Sequence, residues 1–130
     1  MPCSYHFSGT RVLVCIFTGM YSVEESQAVF MAGLDDERSK GGVDVLIDIT
    51  RSQAVKKPGE FQKIVQQLKS HPNFRGHIAA VPSRQDPLRY GLARQFSAMT
   101  SLNGLPMEVF GSISDALHWL MQDEAHEESQ

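Results

Sequence analysis

Residues 43–49 read VDVLIDI, a short β-branched run held between Gly41-Gly42 and the polar Thr50-Arg51-Ser52. Such a run, bounded by turn residues and too short for a helix, is the mark of a buried strand, with Asp48 near its carboxyl end. Upstream, Ser22 to Glu25 (SVEE) has the form of a capping box and predicts a helix to about Arg38. That helix is expected to bury Val23, Phe30, Met31 and Leu34, and to end at Gly41-Gly42. Further back, Cys3 to Phe7 and Arg11 to Thr18 are β-prone stretches separated by Ser8, Gly9 and Thr10, which is hairpin spacing. A tight turn would set Tyr5 and Phe7 near Val14 and Val12 on one face and leave Leu13, Cys15 and Phe17 on the other. The second strand is then apolar on both faces and central.

Downstream of the VDVLIDI strand, Phe61, Ile64, Val65 and Leu68 recur at helical spacing, leaving Lys63, Gln66 and Lys69 for water. His77 to Val81 (HIAAV) is a small strand, and Pro82 with Asp86-Pro87 leads into a helix whose expected stripe is Leu88, Leu92, Phe96 and Met99. Asn103-Gly104 and Pro106 stop it, Met107 to Phe110 form a last strand, and Ser112 or Ser114 caps a final helix holding Ala116, Leu117, Trp119 and Leu120. Trp119 is expected to anchor core. The order β-β-α-β-α-β-α-β-α predicts an α/β fold: a mixed, largely parallel sheet with right-handed crossovers, an N-terminal β-hairpin and about four helices. One domain over 1–122 is expected, followed by an acidic, solvated tail over 123–130.

With 130 residues, one core is the default. A net charge of −3 gives no electrostatic reason to bind a polyanion, so no nucleic-acid partner is expected. Cys3 and Cys15 fit no disulfide or metal pattern and are read as reduced core thiols. The N-terminus lacks the run of a secretion signal and no segment is long enough to span a bilayer, so the expected location is cytoplasmic.

No GxSxG, GxxxxGK[ST], GxGxxG or HExxH motif occurs, and His6, His71, His77, His118 and His126 are scattered without ligand spacing. Neither a catalytic residue nor a metal or cofactor is expected. Asp35, Asp36 and Glu37 can be imagined as a paired-carboxylate acid/base site, although solvated surface charge is the commoner role. Lys56-Lys57 are expected in an exposed loop, with contact to an anion or partner as the alternative. The more informative set is positional, because ligands of parallel sheets bind beyond the carboxyl ends of the strands. The candidate ligand-binding residues there are Tyr21, Ser22, Thr50, Arg51, Ser52, Ser83, Arg84, Tyr90 and Arg94, with Gly19 and Arg89 beside them. Several guanidinium groups converging on an anion is one expectation, and arginines paired with surface carboxylates is the other.

VLIDI at 45–49, PLRYGLARQF at 87–96 and EVFGSISDALHWL at 108–120 together resemble the SpoIIAA-like, or STAS/Sec14-type, small bacterial proteins. The resemblance implies a mixed sheet with helices mainly on one side, and a regulatory or binding role rather than a stated activity. Anti-sigma-factor antagonists of this type bind protein partners, and Sec14-like domains bind lipids. Where the antagonists carry a phosphorylatable serine in a DSSG-like turn, this chain has Lys56, Lys57, Pro58 and Gly59, so no serine phosphoswitch is expected. The resulting expectation is a non-catalytic signalling or binding module for a small anionic or amphipathic ligand, lipid included, or for a partner protein, with a homodimer among the candidates. The alternative is a small enzyme acting on an anionic substrate through Arg84, Tyr90 and Arg94.

Overall fold

A computed structural model of the chain describes residues 3–54, 58–83, 85–102 and 104–128. Lys56, Lys57, Arg84 and Asn103 therefore lie outside the described residues. Five strands, β1 (Cys3–Ser8), β2 (Val12–Gly19), β3 (Val43–Ser52), β4 (Phe74–Pro82) and β5 (Met107–Val109), form one sheet in the order β1-β2-β3-β4-β5. β1 is antiparallel to β2, and β2 through β5 are parallel. Between them run α1 (Val23–Asp35), α2 (Pro58–Ser70) and α3 (Pro87–Leu102), and α4 (Ile113–Glu128) closes the chain. The fold class is the expected one, and α4 extends to Glu128, into the stretch expected as tail.

The sheet is covered unequally. Leu13, Cys15, Phe17, Val43, Val45, Ile47, Ile78 and Ala80 pack beneath α1 and α2 through Phe30, Leu34, Ile64 and Leu68. On the other face Val12, Val14, Leu46, Ala79 and Val81 pack on Ala116 and Leu120 of α4. Every strand from β2 to β4 thus carries apolar side chains on both faces, as a parallel sheet buried on two sides requires. Trp119 is half-buried at the margin of this second layer, against Phe110 at 5.5 Å and His77 at 5.9 Å between ring centroids.

The hairpin register differs from the expected one. Tyr5 pairs with Cys15 and Phe7 with Leu13, so both aromatics share a face with Leu13, Cys15 and Phe17 rather than with Val12 and Val14. The turn occupies Gly9, Thr10 and Arg11, with Gly9 at φ +64°, one residue later than the spacing suggested. A slip of one residue exchanges the two faces of a strand.

α1 begins with the anticipated capping box: Ser22 Oγ accepts from the Glu25 N–H at 3.1 Å, and Glu25 Oε1 accepts from the Ser22 N–H at 3.0 Å. It ends at Asp35 and gives way to a 3-10 turn over Glu37–Ser39, short of the expected Arg38. Asp35 and Asp36 are engaged structurally. Asp36 accepts from the Tyr5 hydroxyl at 2.9 Å and pairs with Arg38 at 3.0 Å, while Asp35 meets His71 Nε2 at 2.7 Å. α3 turns a different face inward from the one expected: Leu88 is 74% and Met99 41% exposed, whereas Ala93 and Thr100 are buried. Ser112, of the two serines proposed, caps α4 by accepting from the Asp115 N–H at 3.1 Å.

Candidate functional site

β2 through β5 all run the same way, so their carboxyl ends and the starts of α1 to α4 meet at one edge of the sheet. Beneath that edge, between the sheet and α2 and α3, lies a cavity of about 100 Å³. Phe17, Phe30, Ile47, Ile64, Ala80, Ala93 and Met107 form its buried floor. Tyr21, Ile49, Phe61, Leu92 and Phe96 are half-buried and grade it toward solvent. Phe61 and Phe96 stack across the helices at 4.7 Å with an interplanar angle of 18°, fixing the α2–α3 spacing. A larger trough of about 690 Å³ runs between α2 and α3, lined by Gln62, Lys63, Gln66, Gln67 and Lys69 with Phe96, Met99 and Leu105.

An irregularity in β3 brings the serine to this cavity. Ile16 pairs with Asp48, yet Thr18 pairs with Arg51, so β3 holds one residue more than β2 across that interval. An extra residue reverses the alternation of faces beyond it. Ile49 and Ser52, an odd and an even position, consequently both line the cavity while Arg51 is exposed. Ser52 Oγ lies 2.8 Å from the Tyr21 hydroxyl. Burial pushes the Tyr21 phenol above its ordinary range, only partly opposed by the bond to Ser52.

Arg89 is the third polar lining residue, and its guanidinium is already engaged. Nη1 donates to the carbonyls of Ser52 at 3.1 Å and Ala54 at 2.7 Å, Nη2 donates to that of Gln53, and Nε meets Asp86 Oδ2 at 2.8 Å. Asp86 also caps α3, accepting from the Arg89 N–H at 3.2 Å. The side chain therefore straps the end of β3 to the start of α3.

Of the nine candidate residues, Tyr21 and Ser52 are brought together. Ser22 is occupied as the cap of α1. Thr50 turns to Asp48, its N–H and hydroxyl both donating to Oδ1 at 3.0 and 2.7 Å. Ser83 Oγ accepts from the Gln85 N–H at 3.2 Å in the turn before α3. Arg94 is exposed, Tyr90 is half-buried, and neither lines the cavity. Arg84 lies outside the described residues. Arg89, named beside the candidates, lines the cavity, whereas sequence reasoning missed Phe61, Leu92 and Phe96 as lining residues. The spacing 89, 92, 93, 96 and 100 carries the signal, since it is a helical face as regular as the one beginning at Leu88.

Among the described residues, no group of three or more His, Cys, Asp or Glu side chains is placed to hold a metal ion, and no helix is long and apolar enough to cross a membrane. At the opposite edge of the sheet Asp44, 1% exposed, accepts from the His77 N–H at 3.2 Å, faces His77 Nδ1 at 3.2 Å, and lies 3.9 Å from Arg75. Burial raises its pKa against the pull of these two partners.

No protein-family model and no curated protein matches the chain. A crystal structure of an uncharacterised protein of the DUF3478 family from Shewanella loihica PV-4, described as having a SpoIIAA-like fold, is similar with a TM-score of 0.57. The two are 20% identical, and the match covers 91% of this chain and 91% of that one. The fold is SpoIIAA-like.

Proposed function

We propose that this chain is a non-catalytic binding module that takes a small, largely apolar molecule into the cavity under the carboxyl edge of its sheet. The observation that carries this reading is the lining itself: eleven apolar side chains, named above, with two hydroxyls hydrogen-bonded to each other and an Arg89 guanidinium already engaged. Binding sites have this composition, mostly apolar with a few placed polar groups. An engineered apolar cavity of about 150 Å³ accepts benzene, and the about 100 Å³ here together with the half-buried mouth at Tyr21, Ile49, Phe61, Leu92 and Phe96 limits the occupant to about one aromatic ring. The same lining speaks against the enzymatic alternative. Ser52 has the Tyr21 hydroxyl as its hydrogen-bond partner, and a phenol whose pKa is raised by burial is a poor general base.

Toluene is a direct probe. At about 100 times its dissociation constant it is expected to stabilise the protein by about 2.7 kcal/mol, read as a rise in melting temperature. Ala93→Leu adds side-chain volume to the cavity wall and should abolish that rise without lowering the melting temperature of the free protein. A parent protein whose melting is unmoved by toluene, or a variant that responds as the parent does, overturns the assignment.

A further inference from the structure

Resting on that reading, we infer that the ligand is electrically neutral and carries one hydroxyl or carbonyl group, which the Ser52–Tyr21 pair recognises, and that carboxylates and phosphates are rejected.

Helix N-termini at a carboxyl edge ordinarily favour an anion. Here the starts of the covering helices already hold carboxylates. Glu24 and Glu25 stand in the first turn of α1, Glu60 in that of α2, and Asp86 caps α3. The lining cation is committed as well, because Arg89 serves three backbone carbonyls and the Asp86 carboxylate. Among the described lining residues, an incoming anion would have to break that strap to gain a cationic partner. Left unpaired among the aromatic walls, its charge would carry the full cost of desolvation. The raised pKa of Tyr21 reports the same penalty acting on a negative charge at that place.

A neutral oxygen meets no such barrier. When the Tyr21 hydroxyl donates to Ser52 Oγ at 2.8 Å, the serine proton can turn toward a ligand oxygen, and Oγ keeps a lone pair to accept from a ligand hydroxyl. The extra residue in β3 is what sets this hydroxyl, instead of the Arg51 guanidinium, against the cavity.

Benzyl alcohol, toluene and benzoate share a ring and differ at one group, so titration calorimetry at neutral pH with these three probes separates the possibilities. Benzyl alcohol and toluene are expected to bind, and benzoate to bind at least about 100-fold more weakly than benzyl alcohol, because its charge finds no uncommitted cation among the described lining residues. Ser52→Ala should reduce the ratio of benzyl alcohol to toluene affinity by about three- to tenfold, the range for one net hydrogen bond, and leave toluene affinity unchanged. Tyr21→Phe keeps the ring and should shift the ratio in the same direction, which guards against a Ser52 variant that disturbs packing. Benzoate binding as tightly as benzyl alcohol, or a ratio unaltered in both variants, overturns the inference while the cavity assignment stands. Failure of all three probes to bind overturns the cavity assignment itself.

Discussion

Gly33 lets α1 lie directly on β2. A Cβ at that position would stand 2.7 Å from Leu13 Cδ2 and 2.8 Å from Cδ1, and Leu13 is fully buried. Helix propensity favours alanine by about 1 kcal/mol, whereas overpacking a core costs about 1–3 kcal/mol. The clash should win, leaving Gly33→Ala destabilised by about 1 kcal/mol in urea unfolding. In a double-mutant cycle with Leu13→Ala the penalty of Gly33→Ala should vanish, and purely additive effects would refute the contact as its cause. Asp44 makes a prediction of opposite character. Burial raises its folded-state pKa, so the native state holds that proton more firmly than the unfolded chain does. Its contribution to stability is present below the unfolded carboxylate pKa and is lost as pH rises through the folded value. Asp44→Asn removes this titration. Its stability relative to the parent should therefore grow as pH rises from about 4, the ordinary carboxylate value, through the raised folded value. A relative stability that falls over that span would mean that Arg75 and His77 outweigh burial.

The elements that periodicity made legible are those with a single apolar stripe or a named cap. The capping box at Ser22, the VDVLIDI strand and the stripe Ile64–Leu68 appear where the sequence put them, because each rests on neighbours within a turn or two. α3 was harder, since Leu92 and Phe96 fit either of two inward faces, one completed by Leu88 and Met99 and the other by Arg89, Ala93 and Thr100. The first face is more apolar, but the second brings Arg89 within reach of the carbonyls at the end of β3 and sets a small Ala93 in the cavity wall. Tertiary demand overrides hydrophobic count in such a case. Leu88→Gln should accordingly change stability by no more than about 0.5 kcal/mol, as exposed substitutions do, whereas Phe96→Ala should cost about 2 kcal/mol through loss of its stack on Phe61. Equal costs measured by chemical denaturation would return Leu88 to the core. The hairpin face and the added residue in β3 share another reason for escaping the sequence. Both depend on a one-residue offset, and alternating apolar patterns on a strand buried on two sides are blind to such an offset.

Across the molecule, the strand order explains why Arg51 and Arg94, among the described residues, do not join Arg89 at the cavity. The sheet advances β2-β3-β4-β5 without reversing, so right-handed crossovers lay α1, α2 and α3 on one face. A reversal of strand order is what opens a crevice between helices on opposite faces, and this sheet has none. Its cavity lies instead beneath helices of one layer, reached by side chains that point inward, and Arg51 and Arg94 point away. That edge has a kinetic consequence. All four helices start there, each adding about half a positive charge from its dipole. Glu24, Glu25, Glu60, Asp86 and Asp115 stand against those four half-charges and the Arg89 guanidinium that pairs with Asp86, so the described helix starts are negative on balance. Neutral molecules are not steered by such a field, and the association rate of benzyl alcohol, from NMR exchange line shapes, should change by less than about twofold between about 20 and about 500 mM salt. Anions would be turned away most strongly in dilute salt, so the entrance screens ligands by encounter rate before any wall of the cavity is touched.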